Sequence, residues 1–380
     1  PQFALDTDRV NALMGVDVAK EEQVGILERL GFRLDDDTVT VPVWRDKDIE
    51  GDVDLTEEIA RVWGYHNLTS TLPTGVIPRR ERDTLLAREE EIKDLLAGMG
   101  CLEVYANSFD DPEDVKRAGL DPADHLRVEN PLAEDQALMR TNLVPTMLRV
   151  LSSNQHHPAS SQLFELSRVY LPREGGLPEE QSILLVAVMD DKGGEELFRR
   201  AKGIVERLAD AYHITFDVER SEQVPSYIHP GRSGMITIEG KPVGGIGEVH
   251  PLVQKAFDLD KYVCLVGFNL PILEPHLKLD PSYTEPSGFP SVYRDLAFVV
   301  DESVVFADLL ETLKNDRSLL QDVELFDVYR GKGVEPGKKS MAVHLTFGTG
   351  DRTLESEEVD AEMVQITTRL AKLYDATVRS

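Results

Sequence analysis

The chain has 380 residues, of which 69 are acidic and 41 are basic, so its formal net charge is −28. This length predicts roughly two to four domains, and the strong negative charge opposes indiscriminate binding to nucleic acid, so that any contact with RNA must be local. The longest apolar run, residues 183–189, is far too short to cross a bilayer, and the N-terminus has no signal-like segment. We therefore expect no membrane partner.

The two cysteines, Cys101 and Cys264, have neither metal-ligand nor disulfide spacing. We interpret them as buried thiols of a protein in the reducing cytoplasm. The first residue is Pro1 in place of an initiator methionine, so we expect a trimmed or excised chain that lacks flanking domains.

Residues 1–75 are predicted to form the first domain. Helices are expected over 6–13 and 20–30, the second ending at Gly31, and a β segment over 39–44, where Pro42 indicates an edge strand. A third helix follows from about Asp54 to Gly64. This order resembles a winged-helix module, although its 16 acids against 7 bases favour protein docking over nucleic-acid binding.

Four carboxylates are predicted to converge at the start of the third helix. Asp54, Glu57 and Glu58 fall at positions i, i+3 and i+4 of one helical surface, and Asp48 precedes them in the loop. In one interpretation Asp54 caps the helix and Glu57 completes a capping box. In the other, the carboxylate oxygens bind a hard cation such as Mg²⁺.

Residues 76–280 are predicted to form an α+β domain with a mostly antiparallel sheet. Long helices are expected from about residue 83 and over 195–212, and strands over 102–105, 162–170, 183–189, 235–238 and 263–268. The glycine-rich segment 243–251 follows a turn at 239–242, so it is predicted to be the second arm of a hairpin and not a phosphate-binding loop. Glycines in a strand are typical of close approach by another backbone or by a ligand.

Histidines and arginines of the middle domain are interpreted as structural. His156, His157, His229 and His250 lie in turns without metal-ligand spacing, and the serines lack a nucleophile-elbow motif. A lone arginine such as Arg140 or Arg168 is more often salt-bridged than a phosphate clamp.

Residues 287–380 are predicted to form a ferredoxin-like domain. The expected order is strand 296–301, helix 306–314, strands 323–329 and 341–347, helix 356–374 and strand 376–379, which is βαββαβ. The glycine-rich loop 329–340 carries one acid and four bases, Arg330, Lys332, Lys338 and Lys339. Mobile cations of this kind are suited to RNA phosphates, although a solvated hairpin loop would have the same composition.

Together these segments resemble the β subunit of bacterial phenylalanyl-tRNA synthetase over essentially the whole chain. The segments that carry the resemblance are 48–65, 130–132 with 139–141, 163–166, 229–233, 246–251, 289–290 with 294–295, 327–331 with 337–340, and 352–354.

The resemblance implies a multidomain α+β protein: a winged-helix-like domain, an inactive module like the class II synthetase catalytic domain, and a C-terminal ferredoxin-like anticodon-binding domain. It implies an α₂β₂ heterotetramer that binds tRNA(Phe), in which the α subunit holds ATP and phenylalanine. Class II motif 3 needs an arginine after its glutamate, whereas Val249 follows Glu248 here. No catalytic residue is therefore expected in this chain.

The resemblance also assigns a Mg²⁺ site, shared with the α subunit, to Asp48, Asp54, Glu57 and Glu58. The N-terminal tRNA-binding and editing domains of the family have no counterpart in this sequence, so editing is not assigned to it. Two alternatives stay open, a free-standing tRNA-binding module and a free-standing Mg²⁺-dependent enzyme.

Overall fold

The computed structural model describes residues 1–79, 83–157, 161–221, 223–277, 283, 285–314 and 319–379, and the elements and contacts below belong to these residues. The chain divides into two compact units, Pro1–Asp83 and Thr84–Ser380. The predicted domain limits at residues 280 and 380 lie outside the described residues.

The first unit packs three helices with a small antiparallel sheet. Its strand order is β1-β3-β2, and its core includes Ile26, Leu27, Leu55 and Ile59, all fully buried. Leu55 and Ile59 are four residues apart on the third helix, so they form the apolar face that its spacing predicts. The elements are β1 (Gln2–Ala4), α1 (Thr7–Met14), α2 (Lys20–Arg29), β2 (Arg33–Asp35), β3 (Thr38–Thr40) and α3 (Asp52–Trp63).

The β segment predicted over 39–44 is wrong in its second half. Strand β3 ends at Thr40, and Val43–Arg45 form a 3₁₀ turn. The edge position is also wrong, because β3 is the central strand. Pro42 lies beyond the strand, where its missing N–H removes no hydrogen bond from the ladder.

The second unit contains a seven-stranded sheet with the order β4-β7-β8-β12-β11-β10-β9. Its pairs are antiparallel except β4 with β7, which is parallel. The elements up to residue 273 are α4 (Thr84–Gly98), β4 (Leu102–Glu103), β5 (Phe109–Asp110), α5 (Pro112–Arg117), β6 (Leu138–Met139), α6 (Val144–Asn154), β7 (Gln162–Leu171), β8 (Glu179–Asp190), α7 (Glu195–Tyr212), β9 (Asp217–Glu219), β10 (Ile228–Ile238), β11 (Lys241–Val249), α8 (Pro251–Ala256), β12 (Tyr262–Asn269) and α9 (Leu270–Leu273).

Each face of this sheet has its own core. Val266 of β12 packs with Leu96 of α4 and Leu208 of α7. Its neighbour Leu265 points to the opposite face, into a second cluster that includes Leu148 of α6. Both faces are therefore covered, which explains why the central strands are near-continuous apolar runs without polar alternation.

The end of the second unit is a four-stranded antiparallel sheet with two helices, in the predicted βαββαβ order. The strand order β14-β15-β13-β16 is that of a ferredoxin-like fold. The α+β multidomain prediction and its ferredoxin-like part are thus confirmed. The elements are β13 (Val292–Asp301), α10 (Phe306–Lys314), β14 (Leu320–Tyr329), β15 (Lys338–Phe347), α11 (Ser356–Tyr374) and β16 (Thr377–Val378).

Candidate functional site

The start of helix α3 is closed by one half of a capping box, and the residues differ from the predicted ones. Gly51 is the N-cap residue, and Asp54 occupies the third helical position. The Asp54 carboxylate accepts hydrogen bonds from the backbone N–H groups of Glu50, at 2.7 Å, and Gly51, at 2.8 Å. Asp54 therefore supplies the half of the motif that bonds back to the N-cap backbone, the predicted roles of Asp54 as cap and Glu57 as third helical residue are wrong, and Glu57 is exposed one turn further on.

Glu58 is buried and neutralised by two arginines. Its Oε1 accepts from Arg45 Nη2 at 2.9 Å and its Oε2 from Arg45 Nη1 at 3.1 Å, and Arg61 also donates to Oε2. The hydrogen bond from Arg45 is the first cause that lowers the pKa of Glu58, against the opposing effect of burial. The negative charge of Glu58 is thus held in place by fixed cations.

Arg45 also engages Asp48, because its Nε donates to Asp48 Oδ2 at 2.7 Å. One guanidinium therefore lies between two of the four acids, and backbone N–H groups occupy a third. Among the described residues, no group of three or more His, Cys, Asp or Glu side chains is placed to hold a metal ion. As arranged, the four acids do not fit Mg²⁺, and the assignment of Mg²⁺ to Asp48, Asp54, Glu57 and Glu58 stays a prediction.

Glu248, at the end of the glycine-rich strand β11, is buried and fully engaged. Its Oε1 accepts from Arg232 Nη1 at 2.7 Å, and its Oε2 accepts from the backbone N–H of Gly194 at 2.9 Å. Val249, the next residue, points to the other face of the seven-stranded sheet and is buried in the core that contains Leu148 of α6. The hairpin of β10 and β11 is as predicted, so these glycines do not join a strand to a crossover helix.

Histidines of this region cap local structure. His229 Nδ1 accepts from the N–H of Gly231 at 3.0 Å, and His250 Nδ1 accepts from the N–H of Leu252 at 3.2 Å at the start of α8. With Nδ1 accepting, the proton of each neutral ring is on Nε2. These contacts agree with the structural interpretation of both residues.

Arg140 is salt-bridged, as the sequence predicts, but the buried charge cluster around it was not predicted. Arg140 donates to Glu165 Oε1 at 2.8 Å, and both side chains are 1% exposed. Asp110 of β5 is fully buried nearby, and its two oxygens have no hydrogen-bond partner among the described residues. Burial raises the pKa of Asp110 to about 7, although Arg140 and Arg149 favour its charged form. An isolated aspartate in a two-residue strand gives no periodic signal that could have revealed it.

The outer face of the ferredoxin-like sheet carries aromatic side chains. Phe326 of β14 and His344 of β15 stack with ring centroids 4.0 Å apart and an interplanar angle of 17°. Tyr293 of β13 and Tyr329 of β14 are exposed on the same domain. His344 Nδ1 lies 2.6 Å from Asp295 Oδ1, which fixes the ring orientation. Exposed aromatic rings on a four-stranded sheet are suited to stacking with unpaired bases.

The four basic residues of the loop after β14 have different surroundings. Arg330 donates to Glu302 Oε1 at 2.9 Å, and Lys338 lies 3.5 Å from Glu335. Lys332 is exposed and makes no ion pair with the residues the structure describes. Lys339 is 8% exposed, and its ammonium donates to the Glu302 carbonyl at 2.9 Å. Three of the four therefore offer charge at the surface, whereas Lys339 holds the base of the loop.

Comparison with known domain families matches three consecutive stretches of the chain. The tRNA synthetase B5 domain matches residues 3–65, the phenylalanyl tRNA synthetase beta chain CLM domain matches 68–270, and the ferredoxin-fold anticodon binding domain matches 287–379. Together with the two sheets described above, these matches place the chain among aminoacyl-tRNA synthetase subunits. Since the CLM match alone covers more than half of the 380 residues, the chain belongs to the phenylalanyl-tRNA synthetase beta chain family.

Individual relatives agree with this assignment. The phenylalanine–tRNA ligase beta subunits of Syntrophus aciditrophicus and Syntrophotalea carbinolica are 34% and 33% identical over 98% and 100% of this chain, and that of Clostridium tetani is 32% identical over 99%. The chain spans about half the length of these curated relatives, covering 49%, 50% and 48% of them. The resemblance predicted from the sequence is confirmed. Within the described ranges, no helix is long and apolar enough to cross a membrane.

Proposed function

We propose that the chain is a non-catalytic part of a cytoplasmic phenylalanine–tRNA ligase. In this proposal it supports the ATP-dependent attachment of phenylalanine to tRNA(Phe) by assembling with the α subunit in an α₂β₂ heterotetramer and by binding the tRNA. Residues 1–75 and 76–280 would serve assembly, and residues 287–380 would bind the anticodon region. The reaction itself would take place in the α subunit.

The surroundings of Glu248 are the single observation that carries the non-catalytic part. Phosphoryl chemistry on ATP needs a cation aimed at the phosphates. Here the only cation bonded to Glu248 among the described residues is Arg232, which the same carboxylate neutralises. The next position, Val249, is 2% exposed in the apolar core, so a side chain there would not face a nucleotide.

The aromatic face of the ferredoxin-like sheet supports the tRNA-binding part. Phe326, His344, Tyr293 and Tyr329 offer flat surfaces to bases that are splayed out of a loop, and Arg330, Lys332 and Lys338 lie on the adjoining loop where phosphates would be met. Lys339, the fourth predicted RNA-binding residue, would act by holding this loop. The negative charge of the chain restricts RNA contact to such local surfaces.

Mixing the chain with a cognate α subunit tests the proposal. We expect the chain and the α subunit to form a complex in size-exclusion chromatography. The chain alone should form no phenylalanyl-tRNA, but both the chain alone and the complex should bind tRNA. Binding of tRNA without any complex would favour the free-standing tRNA-binding module instead. Phenylalanyl-tRNA formation by the isolated chain would overturn the non-catalytic assignment.

Binding of Mg²⁺ is proposed at the start of helix α3, in the complex with the α subunit. The ion would be bound by Asp48, Asp54, Glu57 and Glu58. Arg45 would first have to release Asp48 and Glu58, and binding of the α subunit would have to cause this release. Calorimetric titration should then detect Mg²⁺ binding to the complex and none to the chain alone. Glu57→Gln should weaken binding to the complex, whereas Glu28→Gln, another exposed glutamate of the first unit, should not. Equal Mg²⁺ binding by the Glu57 variant would contradict the assignment.

A further inference from the structure

A cavity of about 530 Å³ lies on the face of the seven-stranded sheet opposite α4 and α7. Strands β8, β10, β11 and β12 form its floor, and Val144 of α6, Tyr227 and Ile272 also line it. Its volume is in the range of small-molecule binding sites. The assembly and tRNA-binding roles proposed above make no use of it.

The centre of the floor has no side chains. Gly245 of β11 and Gly267 of β12 are paired across the ladder, and Leu185 and Met235 flank them on the neighbouring strands in the same register. Adjacent strands are about 4.8 Å apart, so the exposed peptide surface between the two flanking side chains is wide and flat.

Local packing does not require glycine at these two positions. A Cβ atom built at Gly245 would approach no atom closer than 3.7 Å, and one at Gly267 none closer than 3.9 Å. At Gly244 and Gly247 a Cβ would meet neighbours at 2.3 Å and 2.4 Å, so close packing explains those glycines. What Gly245 and Gly267 provide is the open space above them.

The chemistry of the walls restricts what could occupy this space. None of the described residues that line the cavity is charged. A phosphate, a free carboxylate or an ammonium group buried against these residues would lose its hydration without gaining a charged partner among them, so the described lining favours a neutral ligand. Tyr227 also lines the cavity, and its hydroxyl makes no hydrogen bond with the described residues. Burial raises the pKa of Tyr227, so the hydroxyl is a neutral donor available to a ligand.

We propose that this cavity binds a small, neutral aromatic molecule. A planar ring lies on the glycine floor between Leu185 and Met235, and a polar substituent on the ring accepts a hydrogen bond from Tyr227. Flat peptide surface and apolar side walls match the shape and polarity of such a ring.

Titration with 2-naphthol, a neutral fluorescent aromatic, tests the proposal on the full chain. We expect saturable binding that is at least about tenfold weaker in the double variant Gly245→Ala plus Gly267→Ala, because two methyl groups fill the floor without a clash. Gly203→Ala in α7 is the matched control, since a Cβ there meets nothing within 4 Å and should leave the affinity unchanged. Absence of saturable binding, or equal affinity in the double variant, would overturn the proposal.

Methyl NMR of the unaltered chain gives a second measurement that does not depend on how the variants fold. Saturable shifts are expected at the methyl groups of Leu185 and Met235. The methyl of Met99, which packs against the core of the other sheet face, should not shift. Shifts at Met99 with none at Met235 would place the probe elsewhere and refute the site.

Discussion

Arg45 and Glu58 are joined by two hydrogen bonds, from Nη2 to Oε1 at 2.9 Å and from Nη1 to Oε2 at 3.1 Å. The pair connects the 3₁₀ turn at Val43–Arg45 to helix α3, across 13 residues of sequence. Arg45 is 23% exposed at its side chain and Glu58 only 7%, so solvent screens the interaction weakly. The first unit should accordingly depend on this pair for stability.

Arg45→Met should lower the free energy of unfolding of the first unit by about 2 kcal/mol, because a buried carboxylate loses its main partner while Arg61 remains. Urea unfolding followed by tryptophan fluorescence measures this directly, since both tryptophans of the chain, Trp44 and Trp63, lie in that unit. Arg9→Met removes an exposed pair with Asp52 and should cost less than about 0.5 kcal/mol. Equal losses in the two variants would contradict the special role of Arg45.

The Arg45–Glu58 pair should also make the stability of the first unit depend on pH in the acid range. The pKa of Glu58 is lowered in the folded state, so its contribution to stability is present above the ordinary glutamate value and is lost as the pH falls through the folded pKa. The unaltered chain should therefore lose tryptophan-detected stability below about pH 4.5. Arg45→Met should flatten this loss, and an unchanged acid limb in the variant would count against the assignment.

Asp110 should give the stability of the second unit the opposite pH dependence. Its folded pKa is raised from 3.8 to about 7, so folding favours the protonated form, and stability falls as the pH rises between these two values. Asp110→Asn should remove most of this fall, on the order of 3 kcal/mol, in urea unfolding followed by circular dichroism. The exposed Asp94→Asn provides the comparison and should leave the slope as it is.

Truncating the stacked pair Phe326 and His344 to alanine should weaken tRNA binding at least about tenfold, because each base stacked on an aromatic ring contributes roughly 1–3 kcal/mol. The salt dependence of binding should stay the same, since neither side chain contacts a phosphate. Filter binding over a range of salt concentrations measures both quantities. Tyr105→Ala, an exposed tyrosine of the other sheet domain, is the control.

The double variant Lys332→Ala plus Lys338→Ala should change the salt dependence of tRNA binding. Loss of two phosphate contacts reduces the slope of log K against log salt by roughly 1–2. Lys339→Ala should instead lower the melting temperature, because its ammonium is buried against the Glu302 carbonyl. A salt slope that is unaltered in the double variant would show that this loop does not meet tRNA phosphates.

Much of the fold could be predicted from the sequence where the periodicity is long. Helices Glu195–Tyr212, Phe306–Lys314 and Ser356–Tyr374 have the predicted bounds, because each carries a sustained apolar stripe. Strands β1 and β2 were missed because three residues are too few to display alternation. Helix α6, which packs against the sheet face of Leu265, was also missed, since the serines at its end resemble a loop.

The arrangement of side chains at the candidate sites is harder to predict from residue spacing than the fold is. Helical spacing places Asp54, Glu57 and Glu58 on one surface, but it does not state where each carboxylate points. Asp54 turns back to the backbone before the helix, and Glu58 turns to an arginine outside it. The aromatic face depends on the register of three strands, which brings Phe326 beside His344 only after a bulge between Leu325 and Asp327.

The two ends of the seven-stranded sheet have a consequence for behaviour at high concentration. Strand β4, at one edge, is two residues long, and β9, at the other, is three residues long and carries Asp217 and Glu219. Short, acidic edges present few free backbone groups for another molecule to extend, and like charges on two copies repel each other. Pairing of these two edge strands with those of a second copy is thereby disfavoured.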